Sequence, residues 1–172
     1  MDEEEKKSQD KYHEALREAA DHIISGDFSL KEYYGLGDEG LEAIYVIGYE
    51  MYKHKQYAKA KGVFSILTML DPTPRYLSAC GSAHFMAGDY ANAVQYFRMA
   101  LLGGDYTPKT LLRLVECTIR MSQFELAKKY VDEIVSLAHD DKFKNDKESM
   151  TYEARAKMIG AALSKQLAQS AK

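Results

Sequence analysis

The chain has 172 residues, enough for one domain with a buried core and not comfortably enough for two. Charged residues make up 28% of the chain, and the 26 Asp and Glu outnumber the 23 Lys and Arg. This balance excludes the basic surface that is typical of proteins that bind nucleic acid or anionic membranes. No apolar run approaches the roughly 20 residues of a membrane-spanning helix, and we expect no secretory signal in the polar start MDEEEKKSQD. Because two cysteines are too few for a disulfide framework, we expect a protein of the cytosol. With only 3 Pro and 11 Gly there are few helix breakers, so we expect the chain to be mostly helical.

The first predicted elements are a disordered acidic segment, residues 1–10, and an amphipathic helix over residues 11–25, which Asp10 caps and Gly26 ends. The apolar stripe of this helix contains our candidates for pairing with a second copy of the chain: Leu16, Ala20, Ile23 and Ile24. Alternatively, the stripe covers the following helices of its own chain. A short helical turn is predicted over residues 29–34.

Similar residues recur with a period of 33 to 34 between residues 41 and 141. The first two copies align at four positions: Gly48 with Gly81, Tyr57 with Tyr90, Ala60 with Ala93, and Phe64 with Phe97. The third copy is more divergent and has Val115, Phe124, Ala127 and Val131 at the same places. This period is that of the tetratricopeptide repeat, a pair of helices A and B. We therefore predict an all-α fold of three such repeats in a short right-handed superhelix, at residues 41–73, 74–107 and 108–141.

The small residues of each copy have a packing reason. Gly48 and Gly81 let helix B approach helix A closely, while Phe64 and Phe97 fill the core from helix B. After a charged loop at residues 139–147, a terminal helix is predicted over residues 148–168. Residues 11–168 would then form a single domain, with residues 169–172 as a frayed tail. The predicted apolar side of the terminal helix consists of Met150, Ala154, Met158, Ala161 and Leu167.

In proteins of this repeat family, helix A lines a concave face, and its exposed side chains come at the second, fifth, ninth and twelfth positions. Applied here, this family rule selects Glu42, Tyr45, Tyr49 and Tyr52, then Arg75, Ser78, Ser82 and Phe85, and finally Lys109, Leu112, Glu116 and Ile119. The aromatic and apolar members predict a groove for an extended apolar peptide, with a pocket beside the small Ser78 and Ser82. The alternative is that Tyr45 and Tyr52 pack against the N-terminal helix.

A second kind of ligand fits the sequence less well. Some tetratricopeptide cochaperones bind a C-terminal carboxylate through five positions of their A helices. Lys109 and Arg113 occupy two of the corresponding positions in this sequence. The other three places hold Tyr45, Tyr49 and Ala79, which cannot bind a carboxylate in that way.

The sequence contains no pattern typical of an enzyme. None of the five histidines has the spacing of a metal or catalytic site, and the cluster at residues 139–141 is predicted to be a solvated loop. His84 is predicted to be a satisfied core residue, and Cys80 and Cys117 are predicted to be small core residues. We expect no catalysis, no cofactor and no metal.

Nearly the whole chain, residues 10–165, resembles the class II chaperones of bacterial type III secretion systems, which guard translocator proteins. The resemblance rests on several stretches, among them GDFSLK at 26–31, LEAIY at 41–45, FSIL at 64–67 and GDY at 88–90. It implies an ATP-independent protein of the bacterial cytoplasm that is dimeric through its N-terminal helices and holds an extended translocator segment in the concave groove. A general tetratricopeptide scaffold that joins folded proteins is the alternative.

Overall fold

The computed structural model describes residues 29–138, 140 and 146–170, and within these residues it contains helices and turns but no strand. The predicted N-terminal helix with its cap Asp10, and most of the predicted loop at 139–147, lie outside the described residues. So do the four candidate dimer residues: Leu16, Ala20, Ile23 and Ile24. The chain divides between Gly37 and Asp38. Among the described residues before the division, 29–37, lies one short helix, α1 (Leu30–Tyr33), within the predicted turn.

The described residues after the division form seven helices. They are α2 (Asp38–Lys53), α3 (Tyr57–Leu70), α4 (Pro74–Met86), α5 (Tyr90–Leu102), α6 (Pro108–Arg120), α7 (Phe124–Leu137) and α8 (Lys147–Ser170). Each of these helices packs on the next one in the chain, and α8 also reaches α6. The pairs α2–α3, α4–α5 and α6–α7 are the A and B helices of three consecutive repeats, so the predicted all-α repeat fold is confirmed.

The three A helices end in the same way. Lys55, Gly88 and Ser122 occupy aligned positions just after them and have φ angles of 59°, 79° and 58°. The next backbone N–H donates to a carbonyl five residues earlier in every case: Gln56 to Met51 at 2.9 Å, Asp89 to His84 at 2.9 Å, and Gln123 to Thr118 at 2.8 Å. This left-handed turn with its long hydrogen bond is the Schellman ending, which reverses the chain and starts helix B.

The second and third A helices also begin in the same way. Thr73 and Thr107 precede Pro74 and Pro108, which occupy the first helical position. The Thr73 hydroxyl accepts a hydrogen bond from the backbone N–H of Tyr76 at 3.4 Å, and the Thr107 hydroxyl accepts one in the third repeat in the same way. A Thr cap followed by Pro satisfies the first exposed amides and fixes the backbone for a helix start.

Close approach of the A and B helices explains the recurring size pattern of the first two repeats. A Cβ atom on Gly48 would lie 2.8 Å from Cε1 of Phe64, and one on Gly81 would lie 2.9 Å from Cε1 of Phe97. All four residues are buried. In each repeat the aromatic ring therefore fills the space that the missing side chain leaves, as the sequence predicted.

The third repeat solves the same packing problem differently. Val115 stands where the glycines stand, Val131 stands where the phenylalanines stand, and both are buried. Two side chains of middle size thus replace a glycine and a large ring, so that the space between the helices is filled without a change in the repeat.

The terminal helix α8 buries a different face from the predicted one. Its buried residues are Ser149, Ala156, Gly160 and Leu163. The predicted apolar side is wrong: Met150, Ala154, Met158 and Ala161 are exposed, and only Leu167 is half-buried. A Cβ on Gly160 would lie 2.9 Å from Cγ1 of Val131 on α7, so close helix packing selects small residues here. The helix also continues through Ser170, beyond its predicted end at residue 168.

Candidate functional site

The candidate site is the surface formed by the twelve selected positions on α2, α4 and α6, which we call the A-helix face. Between the first two repeats, Arg75 of α4 donates two hydrogen bonds to Glu42 of α2, at 2.7 and 3.0 Å. The hydrogen bond from Arg75 holds the pKa of the Glu42 carboxyl below its usual value. The same guanidinium lies 4.0 Å from the centre of the Tyr45 ring. These contacts fix the two helices side by side.

The tyrosines of α2 differ in exposure. Tyr45 is half-buried, and its ring centre lies 5.7 Å from that of Phe64 and 5.8 Å from that of Tyr76. Its outer side stacks on Tyr49 at 6.2 Å with the two planes 8° apart, and Tyr49 is 46% exposed. Tyr45 therefore belongs partly to the core, and Tyr49 presents the stacked pair to solvent. The alternative in which Tyr45 and Tyr52 pack on the predicted N-terminal helix involves residues outside the described part of the chain.

Tyr52 and Phe85 continue the aromatic lining toward the third repeat. Tyr52 packs edge-on against Tyr57 at 5.5 Å, and Phe85 packs edge-on against Tyr90 at the same distance. Arg113 of α6 lies 6.0 Å from the centre of the Phe85 ring. Burial raises the pKa of the Tyr52 hydroxyl, and the positive charge of Arg113 acts in the opposite direction. Residues of the first, second and third A helices thus influence one another across one surface.

The two small residues of the second repeat have their hydroxyls engaged within the fold. Ser78 donates to Oδ2 of Asp105 at 2.8 Å, and Thr110 donates to the same oxygen at 2.7 Å. Ser82 donates to the carbonyl oxygen of Ser78 at 2.8 Å. Ser78 therefore fixes the loop between α5 and α6.

An open cleft of about 720 Å³ lies between the second and third repeats and α8. We call it the arginine cleft, and its lining consists of Phe85, Arg113, Glu116, Ile119, Arg120, Phe124 and Arg155. Of the predicted groove residues, Phe85, Glu116 and Ile119 line it, whereas Ser78 and Ser82 do not.

The prediction that Leu112 lines the groove is wrong. Leu112 is only 3% exposed and belongs to the core, because α6 packs against α5, α7 and α8 and keeps little free surface. Sequence reasoning also missed Arg155, which lies on the terminal helix outside the repeats. No repeat-based signal could have found it, since the packing of α8 alone brings it beside Glu116.

The histidine and thiols that could suggest chemistry are structural. His84 is 6% exposed, as predicted for a core residue, and its Nδ1 lies 2.9 Å from Oδ2 of Asp89. The prediction that it is satisfied is wrong, because its Nε2 is buried without a hydrogen-bond partner among the described residues. Lys61 donates to the same carboxylate at 3.3 Å. Cys80 and Cys117 are fully buried, and burial raises the pKa of Cys80 and raises that of Cys117 to about 12, so neither is a thiolate near neutral pH.

Within the described residues, no group of three His, Cys, Asp or Glu side chains is placed to hold a metal ion. In the same part of the chain, no helix combines the length and the apolar character that crossing a membrane requires.

Comparison with known proteins gives a clear likeness at the level of the fold. No protein-family model and no curated protein matches the chain. Among solved structures, a type III secretion system complex from Aeromonas hydrophila has a TM-score of 0.74 at 18% identity, covering 86% of this chain and 96% of that one. PcrH of Pseudomonas aeruginosa, solved with the chaperone-binding region of PopD, has a TM-score of 0.68 at 23% identity. The match covers 77% of this chain and 96% of PcrH.

A third similar structure is the Yersinia enterocolitica type III secretion chaperone SycD in complex with a peptide of the translocator YopD. It has a TM-score of 0.68 at 19% identity and covers 76% of this chain and 97% of that one. The chain therefore has the fold of type III secretion chaperones over most of its length.

Proposed function

We propose that this protein is a chaperone of type III secretion, which binds an extended segment of translocator proteins on the A-helix face in the bacterial cytoplasm. The observation that carries the proposal is the stacked pair Tyr45–Tyr49, which presents an aromatic surface on a fold shared with chaperones. PcrH, which has this fold, was solved with the chaperone-binding region of PopD, and SycD was solved with a peptide of the translocator YopD. Rigid aromatic side chains provide large contact areas at a low cost in conformational entropy.

The proposed activity needs binding alone. Translocators carry apolar segments that associate or aggregate before they reach a membrane. A partner that binds such a segment lowers the free concentration of the aggregating form by mass action. Neither ATP nor a chemical step is required, and competition at the secretion machinery suffices for release.

We also propose that the protein is a homodimer, as the resemblance implies. The proposed interface is the apolar stripe of residues 11–25, with Leu16, Ala20, Ile23 and Ile24. One structure of SycD, at 19% identity, is described as an alternative dimer. In a dimer, two A-helix faces would be available for client segments.

The test is client capture by a surface variant. Tyr49→Ala removes the exposed ring of the stacked pair and should weaken the capture of a membrane-active protein from the native cell by about tenfold, since a buried aromatic anchor contributes about 1–2 kcal/mol. Tyr106→Ala is the matched control, because Tyr106 is 44% exposed and lies off the A-helix face, in the loop before α6. Pull-down yield and mass spectrometry measure the result, with helicity and melting checked by circular dichroism.

Two results would reject the proposal: equal capture by both variants, or a wild-type protein that retains no membrane-active client. Retention of a folded soluble partner instead would favour the general scaffold. Tyr45→Ala is less suitable, since Tyr45 also packs on Phe64 and Tyr76 and its removal should lower the melting temperature as well.

A further inference from the structure

The two ends of the A-helix face differ in chemistry. Around Tyr45 and Tyr49 the face is aromatic, whereas the arginine cleft contains three guanidinium groups and one carboxylate. The cleft therefore has an excess of two positive charges, although the whole chain has a net charge of −3. A local positive field on an acidic protein favours a negatively charged ligand group.

The carboxylate in the cleft holds two of the arginines in place. Arg113 donates to Oε2 of Glu116 at 2.9 Å, and Arg155 of α8 donates to Oε1 at 2.6 Å. The side chains of the arginines are 42% and 58% exposed, whereas that of Glu116 is 16% exposed. A guanidinium has five N–H donors, and in these bonds each arginine uses one. Glu116 thus orients both cations and leaves further donors of each for a ligand.

The third arginine adds a charge that is not compensated nearby. Arg120 ends α6, is exposed, and forms no ion pair with any described residue. The apolar walls of the cleft are Phe85, Ile119 and Phe124, all of which are half-buried. A carboxylate bound here would therefore meet oriented guanidinium donors, while its neighbouring residues would contact apolar surface.

We propose that the arginine cleft binds an acidic side chain of the client, an Asp or Glu flanked by apolar residues. This inference rests on the proposed function and specifies the chemistry of the client segment. The apolar part of the segment lies over Tyr45 and Tyr49, and its carboxylate lies between Arg113, Arg120 and Arg155. Charge at one end and aromatic surface at the other then set the direction in which the client binds.

The experiment uses synthetic peptides, so it does not require the natural client. Fluorescein-labelled, C-terminally amidated Gly-Ser-Leu-Glu-Leu-Ser-Gly is compared by fluorescence anisotropy with two versions that have Gln or Lys in place of Glu. A fourth peptide has Gln and a free C-terminal carboxylate, which distinguishes a side-chain carboxylate from a chain end. We expect the Glu peptide to bind the full-length protein about tenfold more tightly than the Gln peptide, and the Lys peptide to bind most weakly.

Two variants locate the effect. Arg120→Gln combined with Arg155→Gln should reduce the preference for Glu over Gln to about twofold or less. The matched control is Arg98→Gln, because Arg98 is exposed on α5 and does not line the cleft, and this variant should keep the full preference. The preference should also decrease as salt is raised, because exposed guanidinium groups are screened.

The outcomes separate the inference from the proposed function. Equal binding of the Glu and Gln peptides overturns the inference, and the aromatic groove and its function then still stand. The inference is also overturned if affinity increases with the free C-terminus but not with the Glu side chain. It is overturned as well if the Arg120→Gln and Arg155→Gln double variant still binds the Glu peptide about tenfold more tightly than the Gln peptide. If none of the four peptides binds at millimolar concentration, the inference is wrong, and the capture of a client by the wild-type and Tyr49→Ala proteins decides separately on the proposed function.

Discussion

Gly48 and Gly62 show at the residue scale how one residue type has opposite roles in neighbouring helices. Gly48 lies against Phe64, and a methyl carbon added at Gly48 would lie only 2.8 Å from the ring, which leaves no space for a side chain. Gly62 of α3 is exposed, and nothing lies within 4 Å of the place where its Cβ would be. The repeat pattern predicted the first role, because Gly48 recurs as Gly81, whereas Gly62 has no such counterpart.

These two glycines give a matched prediction. Gly48→Ala should lower the free energy of unfolding by about 1–3 kcal/mol, because the ring of Phe64 must move in a filled core. Gly62→Ala should raise it by about 0.5–1 kcal/mol, because Ala loses less backbone entropy in a helix and meets open space. Urea unfolding followed by circular dichroism measures both changes, and a destabilised Gly62→Ala variant would contradict the packing described for α3.

In the turns that end the A helices, residues other than glycine adopt a backbone conformation that favours glycine. Lys55 and Ser122 have the left-handed φ of their counterpart Gly88, a conformation that costs non-glycine residues energy. The sequence did not predict that a lysine would adopt this conformation in the first repeat. The Schellman hydrogen bond, which spans the turn in all three repeats, stabilises it.

At the scale of an element, α8 shows why apolar periodicity can select the wrong face of a helix. The predicted side contained Met150 and Met158, and Met158 is 76% exposed. The buried side is built from small residues, with Ala156 fully buried and Gly160 against Val131. Hydropathy ranks Met above Ala and Gly, but close approach to α7 requires small volume, and volume decides when helices nearly touch.

Substitutions two positions apart test this assignment. Ala156→Met should lower the free energy of unfolding by about 1–3 kcal/mol, because the added atoms have no space between α8 and the third repeat. Met158→Gln should change it by less than about 0.5 kcal/mol, because its side chain is in solvent. If Met158→Gln proved the more destabilising of the two, the sequence-based face would be right and the packing of α8 wrong.

At the scale of the whole molecule, the stack of repeats is determined by contacts between neighbours in the chain. Each helix packs on the next, so a period of 33 to 34 residues is enough to predict the architecture. The groove stays a prediction: Tyr49 is exposed, and Phe85, Glu116 and Ile119 line the arginine cleft. Leu112 is buried instead, because the third repeat is covered by the terminal helix.

The oligomeric state belongs to this scale as well. Deleting residues 1–25 should convert a homodimer into a monomer of half the mass, because it removes the apolar stripe with Leu16, Ala20, Ile23 and Ile24. Deleting residues 1–10 alone is the control and should leave the dimer intact, since this segment contributes charge but no stripe. Multi-angle light scattering measures both masses, and a dimer that persists without residues 1–25 would refute the proposed interface.

The sequence by itself determined the number of repeats, the starts of the second and third repeats at Pro74 and Pro108, and the glycine–phenylalanine pairs. All of these depend on residues close together in the chain. Only the tertiary structure decided which face α8 buries, that Tyr45 is half in the core, and that Arg155 joins Arg113 on Glu116. Those facts depend on how closely two surfaces approach, and distances between segments far apart in the chain leave no periodic trace in a single sequence.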